Sequence, residues 1–203
     1  MMTSGPVAHV IDDDDSARES LAFLLGTADL RVRTYDSAKR FLDAIPGIEP
    51  GCVITDVWMP DIGGLELVRM LKKLKVDLPV IVITGHGDVP LAVEAMKAGA
   101  VDFIEKPYDG ETLLAAVRSA LSTQKADATR DGERAEILER LAALSSRERQ
   151  VLDGLVEGQQ NKTIAHELGI SARTVEIYRA NVMTKMRATS LSHLVRMALI
   201  AAT

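Results

Sequence analysis

The chain carries two different patterns of hydrophobic and polar positions. Up to about residue 121, short runs of β-branched apolar residues alternate with segments in which apolar residues recur every three or four positions. This alternation is typical of an α/β fold with a doubly wound parallel sheet, because each strand is followed by a helix that crosses back over the sheet. The predicted strands cover residues 7–11, 30–34, 53–56, 80–83 and 101–105. The first predicted helix begins near residue 16, and four more cover residues 37–45, 65–74, 89–98 and 111–121.

The second pattern is helical throughout and begins near residue 135. Predicted helices cover residues 135–143, 146–157, 162–168, 172–187 and 191–201. Ser145 and Glu148 form a capping-box pattern that predicts the start of the second of these helices. Residues 122–134 contain alanine as their one apolar residue type, so they cannot build a core and are predicted to be a linker. We therefore predict a five-stranded α/β domain over residues 1–121, a linker over 122–134 and an all-α domain over 135–203.

The overall net charge of −5 hides an opposition between the two halves. From Ser145 onward the chain has eight of its 24 Lys and Arg but five of its 29 Asp and Glu, so this part carries +3 and the part before it −8. Opposite signs suggest different partners, although +3 alone does not identify a DNA-binding domain. No apolar run approaches the roughly 18 residues that cross a membrane, and no signal-peptide pattern is present. A single cysteine, Cys52, agrees with the cytoplasmic location that we expect.

Polar side chains follow the apolar runs of four predicted strands. Asp12 and Asp13 follow the first strand, Asp56 ends the third, Thr84 follows the fourth and Lys106 follows the fifth. Because parallel strands deliver their carboxyl ends to one edge of the sheet, where α/β proteins bind ligands, these side chains should converge. Three carboxylates make a hard oxygen site that suits Mg²⁺ or Mn²⁺ better than zinc. Asp56 could then act as a nucleophile that forms an acyl phosphate, with Lys106 and Thr84 binding its oxygens.

A simpler interpretation of each aspartate exists. An aspartate at the end of a strand is usually a helix cap or a turn residue, and a run of four aspartates suits a solvated helix N-terminus. That interpretation accounts for Asp14 and Asp15 better than for Asp12 and Asp13, which lie at the strand end.

Residues 161–171, NKTIAHELGIS, are typical of a helix, a tight turn and a capped second helix. This is a helix-turn-helix pattern. The candidate DNA contacts are Lys162, Arg173, Thr174, Glu176, Ile177, Arg179, Ala180 and Lys185. We expect Glu176 to accept a hydrogen bond from cytosine N4, and Arg173, Arg179 and Lys185 to hold phosphates. The alternative for Glu176 is an ion pair with an arginine of its own helix.

The acidic motifs together resemble the receiver domain of two-component response regulators over residues 7–121. The resemblance is carried by Asp12-Asp13, Asp56 with Met59-Pro60, Thr84-Gly85 and Lys106-Pro107. It implies that a sensor histidine kinase phosphorylates Asp56. It also implies that Mg²⁺ binds at Asp13, Asp56 and the main-chain carbonyl of Trp58, with Asp12 beside them. Thr84 and Phe103 match the coupled switch residues of that family, and the peptide before Pro107 is expected to be cis.

Residues 144–194 resemble the LuxR-type DNA-binding domain. The positions that carry this resemblance include Ser145, Glu148, Val151, Asn161, Ile164, Ala165, Ser171, Thr174, Val175, Lys185 and Met186. It implies four helices, of which the one that begins near Ala172 enters the major groove and the last is available for dimer contacts. Base contacts are implied at Glu176, Ile177 and Ala180. Residues 83–107 are most similar to FixJ-type regulators of nitrogen fixation and respiration.

The expected function is therefore a phosphorylation-activated transcription regulator that is not an enzyme. It would dimerise when phosphorylated, bind promoter DNA and RNA polymerase, and activate nitrogen-fixation or microaerobic respiration genes. A metal-dependent phosphohydrolase is a second possibility, but such an enzyme needs an acid two residues after its nucleophile, and Trp58 stands there. A signalling adaptor that binds only protein is a third.

Overall fold

The computed structural model describes residues 6–85, 88–123 and 130–202. Contacts between Cα atoms divide the chain into two compact units. The first unit comprises Met1–Gly87 with Ala98–Lys125, and the second comprises Asp88–Lys97 with Ala126–Thr203. None of the helices within the described ranges is both long and apolar enough to cross a membrane.

A five-stranded, all-parallel sheet forms the centre of the first unit. Its strands are β1 Val7–Ile11, β2 Arg31–Tyr35, β3 Gly51–Asp56, β4 Val80–Thr84 and β5 Asp102–Glu105. They pair in the order β2-β1-β3-β4-β5, so β1 and β3 are neighbours and their carboxyl ends lie side by side. β1 and β4 are buried along their whole length, as expected of strands covered on both faces. The predicted doubly wound parallel sheet is confirmed.

Strand β2 lies at one edge of this sheet, as its arginines indicate. Two of its five residues are half-buried and three are exposed, because Arg31 and Arg33 keep their charges in solvent. Both arginines pair with Glu49.

The helices that follow the strands along the chain are α1 Asp15–Thr27, α2 Ala38–Ala44, α3 Gly64–Lys73, α4 Val89–Ala98 and α5 Gly110–Thr123. Of these, α4 up to residue 97 is grouped with the second unit. A short 3₁₀ helix, Ile45–Gly47, continues α2. On one face of the sheet, Leu25 of α1 and Leu113 and Val117 of α5 pack against Ile54 and Ile81. This core fixes the strands whose ends carry the acidic side chains.

The second unit contains five helices in the described part of the chain beyond residue 129. They are α6 Arg130–Ala142, α7 Ser146–Glu157, α8 Asn161–Leu168, α9 Ala172–Met186 and α10 Leu191–Ala202. Their core is formed by buried side chains such as Leu152, Ile164, Val182 and Leu194. The helical second half is therefore confirmed.

The caps of these helices agree with the sequence patterns. Ser145 and Glu148 form the expected capping box at the start of α7. Gly169 ends α8 with φ of +65°, a left-handed conformation that costs glycine little. Ser171 caps α9 by accepting a hydrogen bond from the Thr174 amide.

Two differences from the predicted domain bounds appear. Residues 88–97, predicted within the α/β domain of residues 1–121, are grouped with the second unit. The other difference concerns the linker predicted over residues 122–134. Residues 124–129 lie outside the described residues, whereas α5 continues to Thr123 and α6 already begins at Arg130. The predicted linker is therefore helical at both of its ends. Polar composition argues against a core but not against a helix, since alanine, arginine and glutamate all favour helical backbone.

Candidate functional site

The acidic side chains lie at the carboxyl edge of the sheet. Asp12 directly follows β1, and Asp56 is the last residue of β3. The residues just before them, Ile11 and Thr55, are paired in the sheet, so the two aspartates lie side by side. Thr84 is the last residue of β4, and Lys106 directly follows β5. The sheet order therefore brings these ends to one edge, as the strand pattern predicts.

The Lys106 ammonium group lies between two carboxylates. Its Nζ donates to Oδ1 of Asp56 at 2.7 Å and to Oδ2 of Asp12 at 3.4 Å. The Asp12 side chain is 4% exposed and the Asp56 side chain 11% exposed, so both charges are largely removed from water. The ammonium offsets the mutual repulsion of the two carboxylates.

Main-chain amide groups satisfy the remaining carboxylate oxygens. The Asp14 amide donates to Oδ1 of Asp12 at 2.9 Å, and the Trp58 amide donates to Oδ2 of Asp56 at 2.7 Å. Each oxygen of Asp12 and Asp56 thus accepts one hydrogen bond. These bonds fix the orientation of the Asp56 carboxylate at the strand end.

The electrostatics of the crevice favour a charged lysine. Burial raises the pKa of Asp12, which the Asp14 amide and the Lys106 charge oppose only in part. For Lys106, burial lowers the pKa, but the hydrogen bond and charge of Asp56 together with the charge of Asp12 outweigh it, so its pKa is raised. Lys106 is therefore a cation at neutral pH.

The predicted metal ligands do not form a preassembled cluster. No group of three or more His, Cys, Asp or Glu side chains within residues 6–85, 88–123 and 130–202 is arranged to hold a metal ion. Asp13 is exposed, and Lys106 already neutralises Asp12 and Asp56. The chemistry of the donor set, three carboxylates and the carbonyl of Trp58, still fits Mg²⁺ or Mn²⁺. Metal binding at these residues remains a prediction.

The predicted switch residues lie on the last two strands. Thr84 is fully buried, and its carbonyl accepts a hydrogen bond from the Lys106 amide at 2.7 Å. Phe103, in β5, is half-buried. The peptide between Lys106 and Pro107 is cis, as the resemblance implies. The Trp58 side chain is 65% exposed.

Two residues that support the crevice escaped the sequence analysis. Arg18 of α1 donates from Nη1 to the main-chain oxygen of Asp12 at 2.7 Å and pairs with Asp15. Gly64 begins α3 directly against the main chain of Asp56, where a Cβ atom would lie 2.1 Å from the Asp56 oxygen. Its position after a Pro-containing loop and a second glycine was the available signal of a close approach.

Helices α8 and α9 and the turn between them form the predicted helix-turn-helix. Val175, Val182 and Met186 of α9 are fully buried, so this face packs into the helical core. On the opposite face of α9, exposed residues recur at helical spacing. They are Arg173, Glu176, Ile177, Ala180, Asn181, Thr184 and Lys185. We call this set the exposed stripe of α9.

Most candidate DNA contacts lie on this stripe or beside it. Lys162 is exposed on α8. Arg179 is half-buried, and so is Thr174, whose hydroxyl lies 2.8 Å from the Ser171 hydroxyl near the helix start. No hydrogen bond or ion pair between Glu176 and an arginine occurs in the described residues.

Lys185 has a structural partner that its sequence position did not reveal. Its Nζ donates to Oε2 of Glu148 at 2.7 Å, and the Glu148 side chain is 5% exposed. The same oxygen accepts from the Ser145 amide at 2.7 Å. Lys185 thus joins α9 to the start of α7, and its predicted phosphate contact remains untested.

Comparison with known proteins agrees with both halves of this description. The model of the family described as "Response regulator receiver domain" matches residues 8–118, and that described as "Bacterial regulatory proteins, luxR family" matches residues 142–198.

Individual relatives are similar over nearly the whole chain. "Transcriptional regulatory protein FixJ" of Azorhizobium caulinodans is 58% identical over 201 residues, which cover 99% of this chain and 95% of that protein. Its namesake in Bradyrhizobium diazoefficiens is 52% identical over 199 residues, which cover 98% and 97%. A crystal structure of full-length FixJ from B. japonicum gives a TM-score of 0.59 at 51% identity and covers 98% of both chains. The chain therefore belongs to the two-component response regulators with a LuxR-type DNA-binding domain and resembles the FixJ proteins among them.

Proposed function

We propose that a sensor histidine kinase phosphorylates Asp56. The observation that carries this proposal is the Asp56 carboxylate, held at the sheet edge by Lys106 at 2.7 Å and by the Trp58 amide. In the reaction, a carboxylate oxygen of Asp56 forms a bond to phosphorus while the bond from phosphorus to the donor nitrogen breaks. The donor histidine leaves with its electron pair.

Lys106 and Thr84 would receive the phosphoryl group. The ammonium that pairs with Asp56 would bind an oxygen of the phosphoryl group, because the charge of that group exceeds the charge of the carboxylate. Thr84 lies at the end of the neighbouring strand. Movement of its hydroxyl toward the phosphoryl group, together with Phe103, would change the surface around β5.

Asp13, Asp56 and the Trp58 carbonyl, with Asp12 beside them, would hold Mg²⁺, which would supply positive charge between the carboxylates and the incoming phosphoryl group. Asp13 is the exposed member of this set. Mn²⁺ suits the same oxygen donors.

Phosphorylation would promote a homodimer that binds promoter DNA through α9 and recruits RNA polymerase. The exposed stripe of α9, which carries charged and apolar side chains on a helix that follows a tight turn, supports the DNA-binding part. The cytoplasm as its location and nitrogen-fixation or microaerobic respiration genes as its targets are supported by the resemblance to FixJ-type regulators.

The chain would not act as a phosphohydrolase. A hydrolase of this type needs a proton-transferring acid two residues after the nucleophile, and the residue there is Trp58. The acyl phosphate on Asp56 should therefore hydrolyse slowly and serve as a signal. Release of inorganic phosphate in repeated turnovers would contradict this.

The test is intact-mass spectrometry after treatment with a small phosphodonor and Mg²⁺. Wild-type protein should gain one phosphoryl group, and Asp56→Asn should gain none. Asp61→Asn is the matched control, since Asp61 lies in the same loop, is exposed, and has φ of +65°, which asparagine also adopts. An equal adduct on Asp56→Asn would exclude Asp56 as the acceptor.

Sedimentation and footprinting test the later steps. The phosphorylated chain should sediment as a dimer and protect a defined segment in promoter fragments. If the mass is identical with and without phosphorylation, phosphorylation-dependent dimerisation is excluded. Protection of no fragment in either state would favour an adaptor that binds only protein.

A further inference from the structure

Helix α6 has a second apolar face besides the one that it buries. Ile137 and Leu141 pack into the helical core. Ala135, Leu138 and Ala142 are exposed, and their spacing of three and four residues places them along one stripe of the helix. Leu138 is 45% exposed. Singly exposed aliphatic side chains are common on protein surfaces, so the residues around Leu138 must show whether this stripe has a partner.

The stripe has the spacing of a coiled-coil seam. Ala135 and Ala142 are seven residues apart and correspond to position a of a heptad, while Leu138 corresponds to position d. Because both alanines are small, a second helix could lie close to α6 at these positions. The Leu138 side chain would fill the space between the two helices. We call Ala135, Leu138 and Ala142 the apolar stripe of α6.

Charged side chains of opposite sign flank the apolar stripe of α6. Arg134 lies at heptad position g and Glu139 at position e, and both are exposed. Arg140 and Glu136 pair within the helix, whereas neither Arg134 nor Glu139 has an ion-pair partner in the described part of the chain.

The positions of these two charges select an orientation for a second copy of α6. In a parallel pair of helices, position g of one helix faces position e of the other, five residues later. Glu139 follows Arg134 by five residues, so a two-fold axis would form two Arg134–Glu139 pairs between the copies. An antiparallel pair would instead place like charges against each other. The charges therefore favour a parallel pair.

We infer that the apolar stripe of α6 pairs in parallel with the same stripe of a second copy of this chain. The inference rests on the proposed phosphorylation-dependent homodimer and assigns a contact to it. One leucine and two alanines from each copy bury far less than the roughly 1,200 Å² of a stable interface. The α6 helices should therefore pair only when another contact already holds two copies together and raises their local concentration.

Disulfide formation in the full-length protein tests this contact. The native Cys52 is fully buried, so wild-type protein should form no disulfide-linked dimer under mild oxidation. Leu138→Cys places two thiols at the two-fold axis, and phosphorylation should accelerate the formation of a linked dimer by about ten-fold or more. Glu136→Cys is the matched control, because residue 136 is exposed on the same helix but lies away from the stripe, and it should link at the background rate.

An exchange of charges tests the parallel orientation. Arg134→Glu should place like charges together twice and weaken association of the phosphorylated protein by about five-fold at low ionic strength. Arg134→Glu combined with Glu139→Arg restores both pairs with exchanged signs, so association should return to that of wild type. Sedimentation measures the association. Because both residues are exposed, the urea midpoints of the unphosphorylated variants should stay unchanged.

The outcomes separate this inference from the proposed function. If wild-type protein sediments as a monomer in both states, phosphorylation-dependent dimerisation fails and the pairing of α6 fails with it. If the phosphorylated wild type dimerises but Leu138→Cys links no faster than Glu136→Cys, only the pairing is overturned, and the stripe faces solvent or a different protein. Failure of the combined charge exchange to restore association overturns the parallel pairing as well.

Discussion

Lys106 is shared by two largely buried carboxylates, and this sharing determines what its loss should do. Lys106→Met should destabilise the protein by about 1–3 kcal/mol at pH 7, because Asp12 keeps its charge but loses its cation. Burial already raises the pKa of Asp12, so this carboxylate takes up a proton when the pH falls and the penalty should shrink.

Urea unfolding at pH 7 and at pH 5 measures both effects. Lys72→Met, at an exposed position of α3, is the control and should change little. A destabilisation of equal size at both pH values would mean that the charge on Asp12 is not its cause.

His9 is a fully buried residue of β1 whose protonation state follows from its neighbours. Its Nε2 lies 3.0 Å from the Glu49 carbonyl oxygen, which can only accept, so Nε2 carries the hydrogen and Nδ1 accepts from the Tyr35 hydroxyl at 3.4 Å. Burial lowers the pKa of His9 below its usual 6.5. The unfolded chain then binds more protons than the folded chain just below pH 6.5, so stability should fall as the pH decreases through this range.

His9→Gln should flatten that pH dependence between about pH 6.5 and 5.5. The urea midpoint, followed across this range, reports the change. His166→Gln, at an exposed position of α8, is measured in parallel as the control for replacing a histidine by glutamine. An unchanged slope in His9→Gln would place the titrating group elsewhere.

The sequence predicted the positions of the crevice residues at the sheet edge, because strand ends are encoded locally. Asp56, Thr84 and Lys106 each follow an apolar run, and parallel pairing brings such ends to one edge without further information. The roles of Arg18 and Lys185 could not be predicted in the same way. Their partners, the Asp12 carbonyl and Glu148, are set by how helices pack, which periodicity alone does not specify.

At the scale of elements, α3 begins directly against the main chain of Asp56, the proposed acceptor. Gly64→Ala would place a Cβ atom 2.1 Å from the Asp56 main-chain oxygen, so α3 or the end of β3 must shift. Overpacking of this kind costs about 1–3 kcal/mol. We expect slower phosphorylation of Asp56 in addition to the lower stability.

Gly47→Ala is the matched control, because a Cβ atom added at Gly47 would meet no other atom within 4 Å. Thermal unfolding and the rate of phosphoryl adduct formation should both distinguish the two variants. Normal rates in Gly64→Ala would show that the Asp56 carboxylate tolerates movement of its own main chain.

Element types were predictable wherever periodicity and caps agreed, as in α7, where the capping box fixes the first residue. The start of α6 could not be predicted, because its first turns are polar and show no hydrophobic periodicity, although polar residues can form a helix. Its core contribution depends on Ile137 and Leu141, which are 2% and 8% exposed.

At the scale of the whole molecule, the helical core begins earlier in the chain than the segment that matches the LuxR family. The matched LuxR-family segment begins at residue 142, whereas Ile137 and Leu141 of α6 belong to the helical core. Arg140 also donates to the main-chain oxygen of Met186 at the end of α9, at 3.4 Å. A fragment of residues 126–203 should therefore unfold cooperatively.

A fragment of residues 144–203, which lacks α6, should be less stable by several kcal/mol, since the loss of each large buried aliphatic side chain costs about 2–5 kcal/mol. Circular dichroism during urea unfolding compares the two. Equal midpoints would show that α6 is dispensable for this core.

The two ends of α9 are stabilised by contacts that do not involve the middle of its exposed stripe. Ser171 caps the first turn, and the Glu148–Lys185 ion pair holds the last. Between them, Glu176, Ile177 and Ala180 are exposed, so substitutions there should change stability by no more than about 0.5 kcal/mol. If these residues contact the operator as we propose, duplicated genes of this kind could diverge toward new operators through single substitutions at these positions, with no compensating change in the core. Regulatory circuits can be rewired while the folding of the regulator stays under separate selection.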